Sequence, residues 1–118
     1  MKLRVYHYPK CGTCRNALKW LEAKGCELEK VDIVEQPPTK EELRDYLAKS
    51  GLNIRKLFNT SGELYKSMGM KDRIPNMSED ELLGLLAQHG KLIKRPIVTD
   101  GERVTVGFKP ETFEEVWS

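Results

Sequence analysis

Two cysteines three residues apart, in Cys11-Gly12-Thr13-Cys14-Arg15, stand where an apolar strand-like run gives way to helical spacing. Upstream, Leu3, Val5 and Tyr6 read as a short buried strand, which Tyr8-Pro9-Lys10 ends because Pro9 has no backbone N–H to donate. Downstream, Ala17, Leu18, Leu21 and Ala23 recur near helical spacing beside Trp20, and Lys24-Gly25 reads as a C-terminal stop. The pattern predicts Cys11 at a helix N-terminus and Cys14 one turn in. Unpaired N–H groups and the helix dipole favour an anion there, so the Cys11 thiolate gains on its thiol, with Lys10 and Arg15 adding positive charge. A fall in thiol pKa from about 8.5 to about 6.5 raises the thiolate fraction at neutral pH from about 3% to about 75%, while lower basicity removes roughly eightfold of that gain. What remains is a few-fold faster attack and a better leaving group. Residues at i and i+3 on a helix are also near enough for a disulfide.

Thiol redox chemistry is therefore the first expectation, with zinc binding and plain burial as alternatives. Structural zinc takes four ligands, and beyond this pair only Cys26, His7 and His89 remain, scattered singly. Cys26 reads as a small residue at a helix–strand junction, with a resolving role as the alternative. His7 and His89 read as structural or solvent-facing, His7 being near enough in sequence to act on the Cys11 pKa.

Composition narrows the classes further. At 118 residues and 39% apolar content, the chain suits one domain with one core. Twenty Lys and Arg against eighteen Asp and Glu leave a formal charge of +2, so neither direct nucleic-acid binding nor membrane binding is expected. Met1-Lys2-Leu3-Arg4 leads straight into a charged start unlike a signal peptide, and a cytoplasmic location follows as the expectation. In a reducing compartment, three cysteines suit a catalytic or sensing pair better than a disulfide framework.

Residues 28–34 alternate loosely and predict a second strand, which with the first helix as crossover makes a βαβ unit of parallel strands. Thr39 and Glu42 form a capping box for a helix with Leu43, Tyr46 and Leu47 inward, closed at Ser50-Gly51. Asn53 caps a short helix through Leu57-Phe58, and Asn59-Thr60-Ser61-Gly62 breaks it. Residues 63–70 read as helical around Leu64, Tyr65 and Met68, and a second capping box, Ser78 with Glu81, starts a leucine-rich helix to Gly90. Pro96-Ile97-Val98-Thr99, Asp100-Gly101 and Val104-Thr105-Val106 give a hairpin, and Pro110 opens a last helix with Phe113, Val116 and Trp117. The order βαβ, helical block, ββα implies an α/β layered fold with a mixed sheet.

Tyr6-His7-Tyr8-Pro9-Lys10-Cys11-Gly12-Thr13-Cys14-Arg15-Asn16, Gln36-Pro37-Pro38 and Arg95-Pro96-Ile97-Val98, in this order, resemble the glutaredoxin-type arsenate reductase (ArsC)/Spx family, especially its short members. The resemblance implies a single domain over residues 1–118 with a thioredoxin-like fold: a thioredoxin-like part at about 1–36 and 91–118, and an inserted helical lobe at about 37–90. It implies Cys11 as the nucleophile, Arg95 as the charge beside it, and Pro96 after a cis bond. Thr13 and Arg15 are supporting positions of the same motif.

The departures rank the functions. Reductases of this type have Ser where this chain has Cys14, and two further arginines where it has Asn59 and Lys109. Asn carries no charge and Lys grips an oxyanion as a point charge, so neither swap is conservative. The Spx-like regulators share the C-x-x-C switch and bind the RNA polymerase α-subunit, with Gly51 matching their contact glycine. They carry a basic C-terminal extension, whereas this chain ends at Ser118. The resemblance thus implies a thiol–disulfide oxidoreductase first. Cys11 and Cys14 form its redox-active disulfide, Arg95 stabilises negative charge, and no cofactor is needed beyond a thiol reductant such as glutathione. A redox-sensing regulator that binds the polymerase α-subunit comes second, and a glutathione- or glutaredoxin-coupled arsenate reductase third.

Overall fold

A computed structural model describes residues 1–118. The chain runs β1 (Lys2–His7), α1 (Gly12–Ala23), β2 (Glu27–Asp32), α2 (Lys40–Ser50), α3 (Glu63–Ser67), α4 (Met70–Arg73), α5 (Glu79–Gln88), β3 (Ile97–Thr99), β4 (Val104–Val106) and α6 (Pro110–Trp117). Short 3₁₀ turns lie at Ile54–Leu57, Ile74–Asn76 and Gly90–Leu92. The sheet order is β2-β1-β3-β4. β1 pairs parallel with β2, which α1 makes possible as the crossover, and antiparallel with β3, with Tyr6 opposite Ile97. The mixed α/β sheet is the one the hydrophobic pattern implies.

Alternation along the strands divides the core. Leu3, Val5 and Val98 point to one face, where Ala17 and Leu21 of α1 and Phe113 and Trp117 of α6 cover them. Tyr6, Ile97 and Val104 point to the other, into a larger cluster with Leu43 and Tyr46 of α2, Phe58, Met70, and Leu82, Leu83 and Leu86 of α5. Polar groups entering these layers are partnered. Trp117 Nε1–H donates to Thr105 Oγ1 at 3.0 Å, and the Tyr6 and Tyr46 hydroxyls lie 3.0 Å apart. No helix is long and apolar enough to cross a membrane.

Both capping boxes form: Glu42 N–H donates to Thr39 Oγ1 at 3.1 Å and Glu81 N–H to Ser78 Oγ at 3.1 Å, each glutamate reaching back to the cap's own N–H. Gly51 closes α2 at φ 69°, a left-handed conformation that by itself accounts for glycine there. The Arg95–Pro96 bond is cis.

Four expectations change in detail. The second strand ends at Asp32 rather than residue 34, because the Asp32 carboxylate accepts the N–H groups of Val34 and Glu35 at 2.9 and 3.1 Å and turns the chain. The helix expected over 63–70 breaks at Gly69, φ 61°, into α3 and α4, and its Leu64, Tyr65 and Met68 are half-buried against the core rather than within it. The short helix capped by Asn53 is a 3₁₀ turn that ends at Leu57, and Phe58, expected within it, is extended. Ala23 is exposed, since α1 has rotated past the sheet by its last residue.

The end of the helical lobe meets the sheet at Gly90, where a Cβ would strike the carbonyl of Ile33. Gly90→Ala is expected to destabilise the protein by about 1–3 kcal/mol through this backbone clash. A lowered urea midpoint at unchanged slope is the readout.

Candidate active site

The turn out of β1 delivers both thiols. Cys11 N–H donates to Tyr8 O at 3.0 Å, and Cys11 then serves as the N-cap of α1 with extended backbone angles, φ −95° and ψ 115°. Its sulfur accepts the Cys14 N–H at 3.3 Å, taking the place a serine or aspartate oxygen holds in an ordinary cap. Cys11 is half-buried and Cys14 has no exposed surface.

These environments drive the two thiols apart. Burial works against the Cys11 thiolate, but hydrogen bonds from the Cys14 thiol and N–H, and then the Arg95 guanidinium, outweigh it and hold its pKa below the ordinary thiol value. Burial pushes the Cys14 thiol up to about 12, and the neighbouring Cys11 sulfur adds to the rise. Low and high thiols in contact are the pattern of a nucleophile beside a proton-holding partner.

Of the cations expected beside Cys11, Arg95 acts on the sulfur and Arg15 is directed elsewhere. Arg15 turns back to donate to Pro9 O at 3.0 Å, and Arg95, from the segment before β3, supplies the charge instead. Arg95 is held by a hydrogen bond to Lys91 O at 3.2 Å and by stacking its guanidinium 5.0 Å from the Tyr8 ring centre. His7 pairs across the sheet with Asp32, and burial lowers its pKa against the pull of that carboxylate. It is not among the groups that set the Cys11 shift.

Cys11 opens into a cavity of about 600 Å³ lined also by Tyr8, Lys10, Thr13, Asn59, Glu63, Lys94, Arg95 and Lys109. Four cations face one carboxylate there, so the cavity favours an anionic guest. Of the residues singled out in the sequence, Cys11, Thr13, Arg95, Asn59 and Lys109 converge on this cavity, and Cys14 supports Cys11 from beneath. Pro96 follows Arg95 without lining it. Cys26 lies beyond the far end of α1, whose twelve residues span about 18 Å, and packs against the α1–α6 side of the core. It does not reach Cys11.

Lys94, Ser61 and Glu63 were not singled out in the sequence. Ser61 lay in a stretch read only as a helix breaker, and nothing local marks any of the three as facing a thiol some fifty or eighty positions away.

Residues 6–116 match the ArsC family. The chain is 58% identical to YusI of Bacillus subtilis (strain 168) over all of both chains. It is 35% identical to an arsenate reductase of Neisseria meningitidis serogroup A, covering 98% of this chain and 97% of that one. It is 31% identical to the regulatory protein MgsR of Bacillus subtilis, covering 92% and 85%. Among solved structures, an ArsC family related protein from Bacteroides fragilis superposes with a TM-score of 0.93 at 45% identity, covering 98% and 97%.

Because Arg95 stabilises the thiolate, Arg95→Ala should move the pH midpoint of Cys11 alkylation by iodoacetamide upward and slow the reaction at neutral pH by roughly three- to tenfold. Arg15→Ala should leave that midpoint nearly in place.

Proposed function

The chain belongs to the ArsC family, and from that premise we propose that it is a thiol–disulfide oxidoreductase cycling Cys11 and Cys14 between dithiol and disulfide. The observation that carries this reading is the Cys14 N–H bonded to the Cys11 sulfur at 3.3 Å beside Arg95, with the two thiols shifted in opposite directions.

The Cys11 thiolate attacks one sulfur of a substrate disulfide. A Cys11–substrate bond forms, the substrate disulfide breaks, and its other sulfur leaves as a thiolate. Arg95 and the helix N-terminus lower the energy of the Cys11 anion and make it a competent leaving group in the second step. Mixed-disulfide formation neutralises Cys11 and removes one of the two influences that keep Cys14 protonated. Cys14 passes its proton to the departing thiolate and attacks Cys11 Sγ, releasing the second substrate thiol. The protein is left oxidised by two electrons, and two equivalents of an external thiol such as glutathione return it to the dithiol, leaving joined as their own disulfide.

Burial of Cys14 makes the second step the more demanding one. Cys14→Ser is expected to accumulate a covalent Cys11–substrate adduct visible by mass spectrometry, whereas Cys11→Ser should abolish dithiol-dependent turnover. Full turnover by Cys11→Ser would remove the mechanism.

Arsenate reduction is supported by the convergence of Asn59, Arg95 and Lys109 on the Cys11 cavity and by the relatives named arsenate reductase. With one arginine present, the cavity grips a tetrahedral oxyanion through point charges rather than forks. The double variant Asn59→Arg, Lys109→Arg should therefore raise thiol-coupled arsenate turnover at low arsenate by roughly tenfold, the worth of one charge-assisted hydrogen bond. The likeness to MgsR supports a regulatory use of the same thiol pair, in which its redox state sets binding to the RNA polymerase α-subunit. Absence of that subunit from pull-downs in both redox states would argue against it.

A further inference from the structure

We infer that the free edge of β4 is a docking strand for a polypeptide substrate: an extended, acidic segment adds to the sheet there and carries an oxidised cysteine into the Cys11 cavity. The inference rests on the thiol–disulfide reading above and names its substrate class.

The two edges of the sheet are not alike. β2 carries Glu27, Glu29, Lys30 and Asp32, charges of the kind that deter edge pairing. β4 is Val104-Thr105-Val106, β-branched and uncharged. Thr105 pairs with Val98, while Gly107 N–H donates to Pro96 O at 2.9 Å and Asp100 N–H to Arg103 O at 3.4 Å. That alternation turns the main-chain groups of Thr105 toward β3 and those of Val104 and Val106 away from it. Two residues of β4 therefore present N–H and C=O groups to whatever lies alongside.

A groove of about 300 Å³ lies alongside. Ser50, Leu52 and Lys56 form one wall, and Thr112 and Val116 of α6 form the other. Leu52 is 38% exposed, offering an apolar contact for an added strand. Lys56, Lys94 and Lys109 line the groove and no carboxylate does, so charge complementarity selects an acidic segment.

The groove runs into the active site, because Lys94, Val106, Gly107 and Lys109 line both. At Gly107, φ 83°, the Lys94 side chain occupies the space a Cβ would need, with Cε 2.9 Å from that position. A strand leaving the end of β4 enters at this flexible side chain the cavity that Val106 and Gly107 share with Cys11. Main-chain bonds along β4 would supply affinity while the lysines supply preference, as in other strand-addition complexes. Cys11 then attacks the segment's disulfide-bonded cysteine and displaces its partner thiolate. Cys14 resolves the adduct, so the segment leaves reduced and the protein oxidised.

The test compares disulfide probes under single turnover, each releasing thionitrobenzoate when Cys11 attacks. The first is the peptide Asp-Val-Thr-Val-Glu-Gly-Cys joined through its cysteine to thionitrobenzoate. The second is the same peptide N-methylated at alternate backbone nitrogens, and the third is free cysteine joined in the same way. The acidic peptide is expected to react roughly tenfold faster than the cysteine probe, equivalent to about two net backbone hydrogen bonds. N-methylation should abolish that advantage. Lys56→Glu, a groove residue outside the Cys11 cavity, should reduce it while leaving the cysteine probe's rate unchanged. Equal rates for the unmethylated peptide and cysteine, or a peptide advantage that survives N-methylation, would overturn strand docking and leave the thiol–disulfide reading standing. No release from any probe would remove that reading itself.

Discussion

Everything at the site depends on β1 being hydrogen-bonded on both flanks. Its parallel partner β2 requires α1 as crossover, and that crossover sets a helix N-terminus just past the end of β1. Its antiparallel partner β3 is registered with Ile97 opposite Tyr6, which brings Arg95 and Pro96 to the same end of the strand. Cys11 and Arg95 are far apart in sequence and adjacent in space because one strand holds both pairings. A register slip would move every side chain of β3 to the opposite face, burying Ile97 wrongly and carrying Arg95 away together.

The cap of α1 joins folding to reactivity. A helix start leaves N–H groups in need of acceptors, and here a sulfur meets that need. The interaction that ends the loop is thus the one that favours the thiolate. One turn on, Cys14 is sealed into the protein, and the burial that helps α1 pack on the sheet is what keeps its proton in place. One short segment thereby holds two identical side chains in opposed states, with Arg95 as the cation acting on Cys11.

The cavity is built from three regions: the β1–α1 turn, the Asn59–Glu63 segment of the helical lobe, and the strands' far side at Lys94–Arg95 and Val106–Lys109. The lobe is anchored over the sheet by the larger core cluster and by the close approach of Gly90 to Ile33. Its packing therefore sets one wall of a site whose nucleophile and cations it does not contain. Lys94 sits where cavity and groove meet and takes part in both.

Much of this was legible in the residues alone. The short apolar run of β1, the helical spacing after Cys14, the two capping boxes and the hairpin are local patterns, and each forms where its own side chains demand it. The placement of Cys11 at a helix N-terminus belongs to the same class, since it needs only the strand, the turn and the helix on either side. Resemblance carried Arg95, Asn59 and Lys109 toward one site, and their convergence on the Cys11 cavity is a matter of tertiary structure. Charge assigned to Arg15 and influence assigned to His7 went astray because nearness in sequence says little about direction. Arg15 folds back onto a carbonyl of its own turn, and the charges acting on His7 are Asp32 and Lys30 of the neighbouring strand. The sequence by itself determined the elements and the thiol at the helix start, because those follow from interactions within a few residues. Only the tertiary structure decided which cation faces that thiol, which strand edge stays open and where the groove leads, because each depends on contacts between segments that no local pattern relates.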